Sequence, residues 1–407
     1  MGLLFKDEQF DFQVLRLLGE SVYEAADIGE VVSTAERIKE GDYQSWCGEW
    51  TKTAKRLHEA ADKAFTDGHL ISARKAYLRA SNYYRAAEFF LHEKPEDERI
   101  DELYDASAAC FSKVMELNTP VIKMVKIPYE GTTLPAHYYQ LKDEKKLRPV
   151  LILLTGFDGT KEEFYGLAMT ALEHGMNCLA VEGPGQGEAV KKQHLYFRAD
   201  YEAVVTPAVD YLLSTGTADP QKIILWGESL GGYLAPRAAA FETRLAACIA
   251  NSGIYDFLGG GIKSLGITRE KILYMAVNTP EQMNEKLYQA AEFNSEMRWK
   301  IYQGMYVFGL KTPAELVLAA SKLYLKDIAE KIKCPTLIVD TDTDGLIDSQ
   351  AKPLFDRLTC PKEYMLFLAE DGAGAHCQCG AKLIGNERIF EWIEDVLTGI
   401  DLTGDVQ

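Results

Sequence analysis

The sequence predicts an α/β protein: a mostly parallel sheet with helices on both faces, preceded by an all-helical segment and interrupted by a helical lid insertion. Three observations predict it. Residues 1–118 carry almost no strand signal. From residue 119 short apolar runs alternate with helix-patterned stretches, the mark of a parallel sheet with crossover helices. Between 255 and 330 the alternation stops, and it resumes at 331. The expected divisions are therefore 1–118, 119–254, 255–330 and 331–407.

In the first segment, Tyr43 to Asp67 and Leu70 to His92 carry apolar residues and alanines at three-to-four spacing, which argues amphipathic helix. Asp67-Gly68 separates the two, the charged break Lys94-Pro95-Glu96-Asp97-Glu98 follows, and Arg99 to Glu116 resumes the helix. A helical bundle that simply packs is the plainer reading of this segment. A cap that walls a substrate cavity is the sharper one, and the aromatic residues Tyr77, Tyr83, Tyr84, Phe89 and Phe90 permit it.

Asn118-Thr119-Pro120 marks the boundary, after which the period changes. Val121 to Pro128 and Thr133 to Leu141 alternate like strands joined at Glu130-Gly131. Val150 to Leu154 is a continuous apolar run of the kind a buried parallel strand requires. Helix-like sequence from Glu162 to Glu173, a strand from Asn177 to Val181, a helix over 199–213 and a strand over 222–226 follow, and Ala246 to Ala250 is the next strand. After the insertion, Pro335 to Val339 and Glu363 to Leu368 supply the last strands, and a helix from Asn386 to Leu397 closes the core.

Composition bounds the function. The chain has 407 residues, and its hydrophobic share of 47% and charged share of 26% are those of an ordinary globular protein with a sizeable core. A formal charge of −17 argues against nucleic acid and anionic membrane surfaces, which recruit basic protein faces. No apolar run approaches the roughly 20 residues of a membrane span. The start of the chain lacks the basic and apolar regions of a secretory signal. The eight cysteines are scattered and read as reduced, mostly buried thiols, so a cytoplasmic protein is expected. Cys377-Gln378-Cys379 beside His376 has no second ligand pair at workable spacing, so neither metal nor cofactor is expected.

The chemistry centres on Ile223-Ile224-Leu225-Trp226-Gly227-Glu228-Ser229-Leu230-Gly231-Gly232-Tyr233-Leu234. An apolar strand meets G-E-S-L-G and then a small-residue helix, the context of a nucleophile elbow. Such a turn leaves no room for side chains at its glycines and pushes the Ser229 hydroxyl out above the sheet. A serine hydroxyl is a weak nucleophile and needs a base, an orienting acid and an anion hole. After the strand ending at Val339 comes Asp340-Thr341-Asp342-Thr343-Asp344, in which Asp344 is best placed as the acid and Asp342 is the alternative. After the last strand comes Glu370-Asp371-Gly372-Ala373-Gly374-Ala375-His376, and of the seven histidines His376 alone follows both other members. The anion hole needs two N–H groups, expected from Leu230, next to the nucleophile, and from Phe157 in the loop Thr155-Gly156-Phe157-Asp158-Gly159.

These motifs resemble the α/β-hydrolases with an N-terminal helical segment, the group that holds bacterial dihydroxypseudooxynicotine hydrolase and the fungal polyketide-shortening hydrolases of melanin pathways. The resemblance rests on Gly156-Phe157-Asp158-Gly159-Thr160-Lys161-Glu162-Glu163, Glu182-Gly183-Pro184-Gly185-Gln186-Gly187-Glu188, Gly227 to Tyr233, and Gly372 to Gln378, spread over most of residues 120 to 395. It implies the α/β-hydrolase fold, Ser229, Asp344 and His376 as triad, Phe157 and Leu230 as oxyanion donors, and a homodimer. Some members of the group cleave carbon–carbon bonds beside a ketone, others cleave esters, and a few act on carrier-bound polyketides or peptides. The expected function is a serine hydrolase that cleaves an ester or thioester of a small organic or polyketide-like substrate through an acyl-Ser229 intermediate. Carbon–carbon hydrolysis of a β-diketone-like substrate is the enzymatic alternative, and a non-catalytic binding protein on a hydrolase scaffold is the alternative from another class.

Overall fold

The apolar runs become eight strands: β1 (Val121–Tyr129), β2 (Thr132–Gln140), β3 (Arg148–Leu154), β4 (Asn177–Val181), β5 (Ala218–Glu228), β6 (Ala247–Asn251), β7 (Thr336–Thr341) and β8 (Lys362–Phe367). They form one sheet in the order β1-β2-β4-β3-β5-β6-β7-β8. β2 runs antiparallel to β4, and every pairing from β4 to β8 is parallel. This computed structural model describes residues 2–142, 146–262, 266–344 and 350–399. The mostly parallel sheet with its crossover helices is the architecture the alternating sequence predicts.

The chain divides into two compact units: residues 1–123 with 285–306, and residues 124–284 with 307–407. The stretch 255–330, expected as one insertion, is thus shared between the two. Helical periodicity shows that a helix has a face to bury but not which neighbour it buries against.

In the first unit the helix Tyr43–Thr66 starts where Asp42 accepts hydrogen bonds from the Gln44 and Ser45 N–H groups, both at 3.0 Å. It ends before Gly68, whose φ of +82° no side-chain-bearing residue adopts cheaply. Its buried face is Trp46, Trp50, Ala54, Leu57 and Ala61, a stripe at three-to-four spacing. The helices Leu70–Glu88 and Glu98–Leu117 pack in sequence beside it. Rings fill the interior: Phe10 and Tyr43 stack on Phe90 at 5.0 and 4.3 Å, and Trp46 meets Phe90 edge-on at 5.3 Å. The Trp46 indole N–H donates to the Ala86 carbonyl at 2.7 Å, so burial leaves no lost hydrogen bond there. The piece 285–306 joins this cluster: Trp299 stacks on Phe89 at 4.9 Å, Tyr306 on His92 at 4.1 Å, and the Tyr43 hydroxyl donates to the Ser295 carbonyl at 2.9 Å.

In the second unit Val150 to Leu154, Ile223 to Trp226, and Cys248 to Ala250 are fully or almost fully buried, as strands covered on both faces must be. The register aligns one edge. Leu154 pairs with Gly227, Glu228 with Asn251, Asn251 with Val339, and Thr341 with Phe367. The loops that leave β3, β5, β6, β7 and β8 therefore start side by side at the carboxyl ends of the strands, where open α/β sheets place their ligands. No helix among the described residues is long and apolar enough to cross a membrane.

Candidate active site

β5 delivers Ser229 one residue past its end, with φ +59°, a left-handed conformation that serine adopts only under constraint. The Ser229 N–H donates to the Asn251 carbonyl at 2.5 Å, which holds the turn against β6. Two glycines make the turn possible. A Cβ built on Gly227 would lie 1.9 Å from the Gly231 carbonyl oxygen, and one on Gly156 would lie 2.6 Å from the Ser229 Cβ. The second contact also places the loop after β3 directly against the serine.

The loop after β8 brings His376 back over this edge. His376 is buried, and the two residues after it, Cys377 and Gln378, both hold positive φ, +50° and +51°. The reason is visible at Gln378. Its amide and that of Asn251 hydrogen bond reciprocally, Asn251 Nδ2 to Gln378 Oε1 at 3.0 Å and Gln378 Nε2 to Asn251 Oδ1 at 3.2 Å. The histidine loop is thereby clipped to the residue that also holds the Ser229 N–H.

The result is a hydrogen-bonded row. His376 Nε2 lies 2.8 Å from Ser229 Oγ, and His376 Nδ1 lies 2.6 Å from Asp344 Oδ2. With Nδ1–H donating to the carboxylate, Nε2 is the nitrogen left to accept the Ser229 hydroxyl proton. Asp342, the alternative acid, is placed elsewhere: its Oδ1 accepts the Ala369 N–H at 2.8 Å and steadies the start of the histidine loop. Asp340 accepts the Tyr364 hydroxyl at 2.5 Å and the Thr341 N–H at 2.9 Å. Of the other histidines, His92 pairs with Glu88 and His174 with Glu394, at 2.5 and 2.6 Å.

Electrostatics follow from this burial. Burial by itself opposes charging His376, but the Asp344 charge, the neighbouring Cys377 and the hydrogen bonds to both outweigh it. The imidazole pKa consequently stands well above its ordinary value.

Sequence reasoning missed Ser252. Its hydroxyl donates to Asp344 Oδ2 at 3.0 Å and lies 3.5 Å from His376 Nδ1. No sequence signal marks it, since what brings it to Asp344 is the pairing of β6 with β7. Sequence reasoning also gave no role to Gln186, which is buried between the loops after β3 and β4. Of the expected anion donors, Leu230 follows Ser229 at the head of the helix Gly231–Ala239, and Phe157 follows Gly156. The Phe157 ring lies beside Phe197 and Phe257, with centroids at 6.5 and 5.8 Å, and Phe197 in turn meets Phe308 at 5.3 Å. An apolar, aromatic wall therefore begins one residue from Gly156.

The model of the Prolyl oligopeptidase family matches residues 166–308. The chain is 35% identical over 419 residues to a protein of Fusarium sp named hydrolase LUC6, covering 97% of this chain and 98% of that protein. It is 33% identical over 418 residues to the 20-hydroxy-prefusarin hydrolase FUS2 of Gibberella moniliformis, again covering 97% and 98%. The crystal structure of 2,6-dihydroxy-pseudo-oxynicotine hydrolase superposes with a TM-score of 0.71 at 23% identity, covering 94% of this chain and 96% of that one, a likeness of fold.

Proposed function

Because the chain belongs to the α/β-hydrolases, in one family with these fungal hydrolases, we propose that it is a serine hydrolase that forms an acyl-enzyme on Ser229. The bond cleaved is an ester or thioester of a small organic or polyketide-like substrate. The observation that carries the reading is the row Ser229–His376–Asp344, with contacts of 2.8 and 2.6 Å at the carboxyl edge of the sheet.

In acylation, Ser229 Oγ attacks the substrate carbonyl carbon while its proton passes to His376 Nε2. Asp344 holds the imidazolium that forms, and Ser252 holds Asp344. The carbonyl oxygen, now negative, sits against the N–H groups of Leu230 and Phe157. Collapse expels the alcohol or thiol, which takes the proton from His376. Water then repeats the sequence on the acyl-Ser229 ester and releases the acid. The aromatic wall of Phe157, Phe197 and Phe257 supports an apolar, planar group beside the scissile carbonyl. A relative named for 20-hydroxy-prefusarin supports a substrate of related kind.

The test is product analysis on a matched pair, an aryl ester and a β-diketone carrying the same two arms, with Ser229→Ala as control. Cleavage of the ester by the wild type alone is the expected result. Preferential cleavage of the diketone moves the protein to carbon–carbon hydrolysis. No turnover of either, with no acyl adduct on Ser229, overturns the enzymatic reading in favour of a binding protein.

A further inference from the structure

The segment Glu182-Gly183-Pro184-Gly185-Gln186-Gly187-Glu188 follows β4 and contributes no atom to the proposed chemistry, yet it is almost wholly buried. Its centre is the Gln186 side chain, 1% exposed. Gln186 Oε1 accepts the Gly183 N–H at 3.0 Å and the Tyr201 hydroxyl at 2.9 Å. Two donors on one atom settle which end of the amide is oxygen. The other end, Nε2, must then donate, and it does so to the Thr155 carbonyl at 2.5 Å and the Gly156 carbonyl at 3.4 Å. Those carbonyls flank Gly156, the residue whose absent Cβ would touch Ser229. The Gly156 carbonyl belongs to the same peptide unit as the Phe157 N–H.

A second clamp fastens the same two loops. Glu182, fully buried, accepts the Lys161 N–H and the Glu188 N–H at 2.9 Å each, and the Lys161 ammonium at 3.0 Å. The loop after β3 is therefore held at Thr155 and Gly156 by an amide, and at Lys161 by a carboxylate, both from the segment after β4.

We infer that Gln186 is a positioning residue for the oxyanion hole: its amide holds the 156–157 peptide with the Phe157 N–H presented to the substrate oxygen. The inference rests on the serine-hydrolase reading and deepens it. Donation into the Gly156 carbonyl also polarises the peptide, which strengthens its N–H as a donor. The role requires an amide. A carboxylate of the same shape could still accept from Gly183 and Tyr201, but it would face two carbonyl oxygens with no proton to offer them.

The experiment compares the full-length wild type with Gln186→Glu, Gln186→Met and Tyr201→Phe. Three quantities are measured: kcat and KM on an aryl ester, the rate of phosphonylation of Ser229 by a fluorophosphonate probe, and Tm. Gln186→Glu is expected to lower kcat about 10- to 100-fold, less than outright loss of an oxyanion donor at its upper range, with phosphonylation slowed in proportion. KM is expected to change by no more than about threefold, since the lost interaction is made only in the transition state. Tyr201→Phe keeps Gln186 but frees one end of its amide, so a smaller fall in kcat is expected. It decides the matter if neither Gln186 variant folds. A rise in KM at unchanged kcat in folded variants overturns the inference and makes the segment a wall of the pocket. Unchanged phosphonylation overturns it as well. Failure of the wild type to label at Ser229 marks a different failure, that of the hydrolase reading, and takes this inference with it.

Discussion

The interior of the helical unit and the carboxyl edge of the sheet are built on opposite principles. Around Trp46 and Phe90 the contacts are rings on rings, and the helix that carries Trp46 is capped in the ordinary way by Asp42. Around Ser229 there is left-handed backbone at Ser229, Cys377 and Gln378, and the contacts are single hydrogen bonds of defined length. The first region stabilises by area, where many small contacts add and none is decisive. The second holds a geometry that it would not choose locally, so each bond there maintains position more than stability. The difference teaches which variants should unfold the protein and which should silence it.

The largest expected effect is at Ser229. Ser229→Ala should lower kcat on an aryl ester by about 10⁵- to 10⁶-fold with Tm nearly unchanged, measured on the same preparation. A large fall in Tm would break the contrast, because the edge would then carry stability as well. Asp344→Asn should lower kcat by about 10⁴-fold, by loss of the charge that steadies the imidazolium and of the tautomer it selects.

The same variant reports on pH. The base works when neutral, and His376 in the wild type stays protonated to a pH well above the usual imidazole value of about 6.5. Activity should therefore fall as pH drops through that raised value, and Asp344→Asn should move this acid limb of kcat/KM downward. The linked stability has a definite sign. Protonated His376 adds stability that is complete below about 6.5 and is lost as pH rises through the raised pKa.

In the helical unit, Trp46→Ala should cost about 3–5 kcal/mol, read by chemical denaturation, with kcat per folded molecule unchanged. A change in kcat there would show that the aromatic interior also shapes the reaction. The smallest effect is expected at Ser252. Removing its hydroxyl takes one hydrogen bond from Asp344, about 1 kcal/mol and so about fivefold in kcat. The acid limb should shift upward, opposite to Asp344→Asn, since a carboxylate with fewer donors holds the imidazolium more tightly. A downward shift would assign Ser252 to the imidazole instead.

The sheet was legible because buried parallel strands need continuous apolar runs, and Val150 to Leu154 or Ile223 to Trp226 cannot be much else. Ser229 and His376 were legible because strained turns demand small residues around them. Asp344 was legible as the better-placed acid of the loop after β7, and its Oδ2 lies 2.6 Å from His376 Nδ1, while the alternative, Asp342, is spent on the Ala369 N–H. Ser252 was illegible because its partner lies across a strand pairing, at a sequence distance of 92. The helix Glu8–Gly19 escaped notice because it buries Gln9, Asp11 and Gln13, which spoil its apolar period. Asp11 is there to accept the N–H groups of Leu3, Leu4 and Phe5.

β6 and β7 are hydrogen-bonded neighbours, Asn251 opposite Val339, although the chain between them is long. That excursion leaves the sheet and re-enters one strand spacing away, about 4.8 Å. Its ends are joined by the sheet itself, and doubling such a loop adds only about 0.6 kcal/mol of closure entropy. The sheet, rather than the length of the excursion, therefore sets the alignment of Asn251 with Val339. Insertions between β6 and β7 are thus expected to be tolerated as long as the Asn251–Val339 pairing is kept.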